Sequence, residues 1–112
     1  MTSNIRNLPS IVEMGDGYKK WSDGTLEQWG RVSMPAQANT ISVAVSFAKP
    51  FANPSYSFLL TAGRNVAASH MFSEANSAGN SARTVNGTAI VWSKSAHAYA
   101  TEVSWYAIGK WT

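Results

Sequence analysis

Alternation with a period of two runs through most of the chain, and no window of apolar residues recurs at helical spacing for more than two turns. Between Thr40 and Phe47, Ile41, Val43, Val45 and Phe47 fall on one side of an extended backbone, with Ser42, Ala44 and Ser46 on the other. The same rhythm predicts a strand over Tyr56–Thr61, with Tyr56, Phe58 and Leu60 sharing a side. It predicts another over Thr101–Trp111, where Val103, Trp105, Ala107 and Trp111 oppose Tyr106 and Ile108. Val66–Phe72 reads as a weaker strand. Thr84–Ser93 reads as one strand interrupted at Gly87 or as a short hairpin, with Ile90 and Trp92 on one face. Loops separate these runs: Lys49–Ser55 around Pro50 and Pro54, a turn at Ala62–Asn65, the small polar stretch 73–82, and 94–100.

The segment Gly17–Gly30 reads as two strands joined at Asp23-Gly24, the dipeptide suited to a two-residue type I′ turn. That turn would set Ser22 opposite Thr25, Trp21 opposite Leu26, Lys20 opposite Glu27, Lys19 opposite Gln28, Tyr18 opposite Trp29, and Asp16 opposite Arg31. Cross-strand pairs of these kinds contribute about 0.2–1 kcal/mol each. Residues 1–14 have no clean period and read as a lead-in segment at the end of a stalk, ahead of a β-rich unit at 15–112. About seven short strands at this spacing predict an all-β fold, a small antiparallel sandwich or a partly open barrel. Trp105, Trp92 and Phe58 are expected to fill its core. If the N-terminus joins a stalk and strands alternate in direction, Asp23-Gly24, loop 48–55, loop 73–82 and the C-terminus lie at the far end, with 94–100 stalkward.

Composition narrows the function. A length of 112 residues is one domain, and at this size roughly a third of the unfolded chain's surface stays exposed, so oligomerisation would add useful burial. The absence of cysteine excludes disulfides and thiolate metal sites and fits synthesis in a reducing cytoplasm. Neither a signal peptide nor an apolar run of bilayer length is visible, so membrane insertion is not expected. The net charge of +3 is spread singly, with Lys19-Lys20 the only adjacent basic pair, whereas nucleic-acid binders cluster their cations. A single-stranded nucleic-acid-binding β-barrel is the alternative reading, for which Tyr18-Lys19-Lys20-Trp21 is the nearest approach to a stacking platform. Glu27 opposite Lys20 argues against it.

Candidate chemistry is sparse. Asp23 is accounted for by its turn and Glu27 by Lys20, and no two of the six carboxylates have the placement of a glycosidase pair. The two histidines, His70 and His97, stand in neither His-x-His nor His-x3-His spacing, and no nucleophile is tied to either. Gly15-Asp16-Gly17 lacks the rest of a phosphate-binding loop. The expectation is a binding protein without catalysis, metal or cofactor. Thirteen aromatic residues against few charges imply an aromatic core, an aromatic ligand platform, or both; the core accounts for most of them, and stacking on sugars, which offer apolar C–H faces ringed by hydroxyls, is the functional alternative. Loops on rigid β scaffolds commonly carry such binding. The candidate receptor-binding residues are His70, Glu74, Asn76, Asn80, Arg83, Trp92, His97 and Tyr99.

Three stretches together resemble the C-terminal domains of phage and prophage tail fibres. Ile11-Val12-Glu13 followed by Gly17–Gly30 is similar to that family's opening, which runs through an aromatic-x-Lys-aromatic, Ser-Asp-Gly and Glu-Gln-x-Gly. Phe47, Phe51, Asn53, Pro54 and Tyr56 follow its Phe-x3-Phe-x-Asn-Pro-x-Tyr segment, and Trp105-Tyr106-Ala107-Ile108-Gly109 its terminal Trp-x-Ala-Ile-Gly strand. Asp16 stands where the family often has Asn. The resemblance implies a homotrimeric β-rich knob at the distal tip of a virion's tail fibre, made in the host cytoplasm. It would adsorb to the bacterial surface through lipopolysaccharide, another glycan or an outer-membrane protein. The matching positions lie in the scaffold, so no receptor residue carries over from them, and 62–100 matches least.

Overall fold

The computed structural model describes residues 8–34, 41–62, 71–74, 76–77, 80–81, 83–93 and 101–112. Every regular element among them is a strand: β1 (Ile11–Gly15), β2 (Tyr18–Trp21), β3 (Thr25–Met34), β4 (Ile41–Ser46), β5 (Ser57–Ala62), β6 (Met71–Glu74), β7 (Asn76–Ser77), β8 (Asn80–Ser81), β9 (Gly87–Ser93) and β10 (Thr101–Lys110). They form a five-stranded sheet in the order β1-β2-β3-β10-β5, a three-stranded sheet β4-β9-β6 and the small pair β7-β8, all antiparallel. This is the expected all-β fold, built as two sheets and not as a closed barrel. The strands beyond the seven expected are β1, whose five residues are all exposed, and the two-residue β7 and β8.

The core lies between the sheets. β3 presents Leu26, Gln28 and Met34 inward, and β10 presents Val103, Trp105 and Ala107; Val45 and Ile90 come from the three-stranded sheet. Fully burying a side chain of this kind contributes roughly 1.5–3 kcal/mol. Phe47, Phe51 and Tyr56, from the predicted aromatic segment, close one end of the core. Phe47 meets Phe51 and Tyr56 edge-on at 5.1 Å, and Phe51 stacks on Tyr56 at 4.5 Å. Trp105 stacks on Phe58 at 5.9 Å, so two of the three expected core aromatics are in place, while the Trp92 side chain lies outside the described residues.

The first hairpin differs from expectation by one residue. The Gly24 N–H donates to the Trp21 carbonyl at 3.0 Å, which makes Trp21–Gly24 a four-residue turn; Gly24 has φ of +93°. The Asp23 carboxylate accepts the Thr25 N–H at 3.0 Å. Three residues therefore separate the strands, the geometry of a tight turn followed by a left-handed glycine. The pairing becomes Lys20 with Leu26, Lys19 with Glu27 and Tyr18 with Gln28. A slip of one residue reassigns every pair. In place of the expected partners, Lys20 lies 3.8 Å from Glu13, Arg31 lies 3.4 Å from Glu102, and the Tyr18 hydroxyl donates to Glu13 at 2.8 Å.

β1 also fixes where residues 8–10 lie. The Ser22 N–H donates to the Ser10 carbonyl at 2.7 Å, so residues 8–10 arrive beside the 22–24 turn. The Trp111 N–H reaches the Gly24 carbonyl, Ala52 N–H reaches the Lys110 carbonyl, and Phe51 N–H reaches the Val85 carbonyl. The turn, the 47–56 segment and the C-terminal residues thus share one end, as expected of one another. The unforeseen β1 brings residues 8–10 to that end too. The chain passes between the two sheets three times at the opposite end, after Met34, after Ala62 and after Ser93.

Candidate functional site

The polar stretch 73–82, expected as a flexible loop, is in part ordered. β6 runs to Glu74, and Asn76 pairs with Ser81 and Ser77 with Asn80 in a small hairpin. Its base is a brace. Arg83 donates through Nε to Glu74 Oε2 at 2.8 Å and through Nη2 to Glu74 Oε1, while the hydroxyl of buried Thr88 donates to Oε2 at 2.7 Å. Nη1 of Arg83 donates to the carbonyls of Tyr56 and Pro54, and the guanidinium lies 4.5 Å above the Tyr56 ring. Burial pushes the Glu74 carboxyl up, but the hydrogen bonds from Arg83 and Thr88 outweigh it and hold the group below its ordinary value. Burial raises the Tyr56 phenol to about 12. Such charge-assisted, two-pronged arginine contacts fix geometry as well as adding energy.

Glu74, Asn76, Asn80 and Arg83 therefore come together at one end of the domain, on one hairpin and its base. Trp92 lies elsewhere, near the opposite end of β9, across from Ile41 and Phe72. His70, His97 and Tyr99 fall outside the described residues.

A second arrangement escaped the sequence reading. On the face of the five-stranded sheet turned away from the core, Glu27 neighbours Ile108, and Tyr106 stands between Trp29 and Leu59. Glu27 accepts the Trp21 indole N–H on Oε1 and the Tyr106 hydroxyl on Oε2, each at 2.5 Å. Burial, with Glu27 beside it, raises the Tyr106 phenol to about 12. Next to this trio lies a shallow, largely open cleft of about 310 Å³ lined by Pro9, Trp21, Asp23, Thr25, Glu27 and Ile108. Met14, Trp29 and Leu59 are exposed, the last to 56%. The expected register had assigned Glu27 to Lys20 and Trp21 to Leu26, which hid the trio. The alternation of Leu26, Gln28, Val32 and Met34 against Glu27, Trp29 and Arg31 was the usable signal. Among the described residues no three potential metal ligands cluster.

Residues 20–110 match the Gp53-like tail fiber protein C-terminal family. No curated protein is similar in sequence. Among solved structures the chain resembles a fragment of the Pseudomonas aeruginosa R1 pyocin fibre comprising its C-terminal residues 323–701, with a TM-score of 0.62 and 19% identity over 96% of this chain. It spans 30% of that fragment. An N-truncated R1-type pyocin tail fibre is similar over 97% of this chain and 96% of its own length, with a TM-score of 0.61 and 18% identity. The corresponding P. aeruginosa R2 pyocin fibre gives a TM-score of 0.58 at 18% identity, over 96% of this chain and 28% of its own.

Proposed function

The chain belongs to the Gp53-like tail fiber C-terminal family, and from that premise we propose that it is the receptor-binding domain at the distal tip of a tail fibre. It adsorbs the particle to the host bacterium by holding a surface glycan, with lipopolysaccharide first among these, and it does so without catalysis. The observation that carries this reading is the paired short strands Asn76–Ser77 and Asn80–Ser81, whose base is locked by Glu74, Arg83 and Thr88 onto a two-sheet scaffold. A binding element needs such a rigid footing to keep its contacts oriented. Three copies assemble into a homotrimer. Trimerisation would turn weak single-site binding into firm attachment.

The test is binding of the tagged domain to intact host bacteria and to mutants stripped of outer polysaccharide. Binding to the former and not the latter is expected. Equal binding to both excludes a glycan receptor, and absence of binding to any intact cell overturns the adsorption reading. Release of new reducing ends from purified surface polysaccharide would overturn the non-catalytic role.

A further inference from the structure

We propose that the cleft on the outer face of the five-stranded sheet is a sugar subsite that takes one neutral or amino-bearing pyranose ring. This rests on the reading of the domain as a glycan-binding adsorption module and adds a site separate from the hairpin. The chemistry of the lining selects the occupant. Pro9, Trp21 and Ile108 offer apolar surface to the C–H face of a ring, and Asp23, Thr25 and Glu27 offer oxygens to its hydroxyls. A volume of about 310 Å³ is at the small end for ligand sites and suits a single ring.

Charge narrows the class further. Two of the six lining residues are carboxylates and none is basic; Lys19, across from Glu27, and Lys110, near Asp23, lie outside the lining. A uronic acid or a phosphorylated sugar would meet like charge, whereas a neutral hexose or a protonated amino sugar would not. Lys110, across from Thr25 on β10, helps hold the Asp23 carboxyl below its ordinary value after the larger effect of the Thr25 hydrogen bonds.

The site is also built in advance. The indole N–H of Trp21 is tied to Glu27 Oε1, and Glu27 Oε2 is tied to Tyr106, so the edge of the Trp21 ring is fixed before any ligand arrives. The indole N–H of Trp111 donates to the Trp21 carbonyl at 2.9 Å and anchors the backbone of Trp21. Ordering a platform ahead of binding reduces what the ligand must offset. Each Glu27 oxygen keeps a lone pair for a sugar hydroxyl beyond the bond it already accepts.

Glucose, N-acetylglucosamine, glucosamine and glucuronic acid serve as probes, titrated into the intact chain while the Trp21 indole N–H resonance is followed by NMR. The neutral and amino sugars are expected to shift that resonance, and glucuronic acid at the same concentration is not. Trp21→Ala should weaken binding by roughly tenfold or more, the loss of a stacking surface. Glu27→Gln, which keeps the shape and leaves Asp23 as the one lining carboxylate, should reduce the preference for glucosamine over glucuronic acid. Circular dichroism confirms that each variant is folded; if Trp21→Ala is not, Ile108→Glu replaces it with the same expected loss. Absence of any sugar-dependent shift overturns the subsite, including the case in which a second copy of the chain seals the cleft. Wild-type protein that binds cells, together with folded variants that bind equally well, overturns the cleft and leaves the adsorption role standing. Wild-type protein that binds no cells overturns the latter instead.

Discussion

Replacing Gln28 by leucine keeps the volume of the side chain and removes only its polar end. Gln28 is fully buried on β3, donates Nε2–H to the Lys49 carbonyl at 2.8 Å and accepts the Lys49 N–H on Oε1 at 3.0 Å. These two bonds tie the five-stranded sheet to the 47–56 segment, which carries Phe51 and Tyr56 into the core. In Gln28→Leu both backbone groups of Lys49 lose their partners. A buried unpaired group costs about 1–3 kcal/mol. Lys49 is only half-buried, so water can recover part of that, and an apolar side chain sits more comfortably at the site. The expected net loss is about 2–3 kcal/mol, or a fall in Tm of roughly 10–20 °C for a domain of this size. Gln28→Glu should be worse at neutral pH, because a carboxylate would face the Lys49 carbonyl, and should recover as acid protonates it into a donor. Urea unfolding followed by tryptophan fluorescence, at neutral and acidic pH, measures both. A leucine variant within about 0.5 kcal/mol of the wild type would refute the clamp.

Gly109→Ala should destabilise by about 1–3 kcal/mol in the same assay, since the added methyl would sit 2.8 Å from Cβ of Tyr56 and 3.0 Å from the Phe51 ring. Glu74 has a folded pKa below its ordinary value of 4.5, so its contribution is complete above that pH and is lost as pH falls through the depressed value. Glu74→Gln should therefore be less stable at pH 7 by about 1–3 kcal/mol and show a flatter acid limb in pH-dependent denaturation. Tyr56 and Tyr106 are raised to about 12, so ultraviolet titration should find two phenols ionising well above the ordinary value of 10. The unfolded chain gives up those protons first, so stability should decline as pH rises from 10 towards 12.

The large strands were legible because each buries one face. Val45 inside with Ser46 outside, or Ala107 inside with Tyr106 half-covered, writes a period of two into the sequence. β1 was not legible because it is an edge strand with all five residues exposed, so nothing forces alternation on Ile11, Val12 and Glu13. The register of the first hairpin was misread because Asp-Gly suits two turns. Tryptophan, serine and aspartate can all occupy the longer one, and only the pairing of Lys20 with Leu26 distinguishes them. At the site, Glu74 and Arg83 were picked out by residue type, but their mutual ion pair depends on a nine-residue return that has no local signature. The Trp21–Glu27–Tyr106 trio joins positions on three strands, and its third member is brought in by a pairing far along the chain.

β10 lies between β3 and β5 in the five-stranded sheet, yet its partner β3 is synthesised roughly 70–80 positions earlier. As the polypeptide leaves the ribosome, β1, β2 and β3 can fold as a meander, but β3 and β5 wait with unpaired edges until residues 101–110 emerge. Loss of this one segment would not shorten the domain; it would cut the larger sheet into two disconnected pieces.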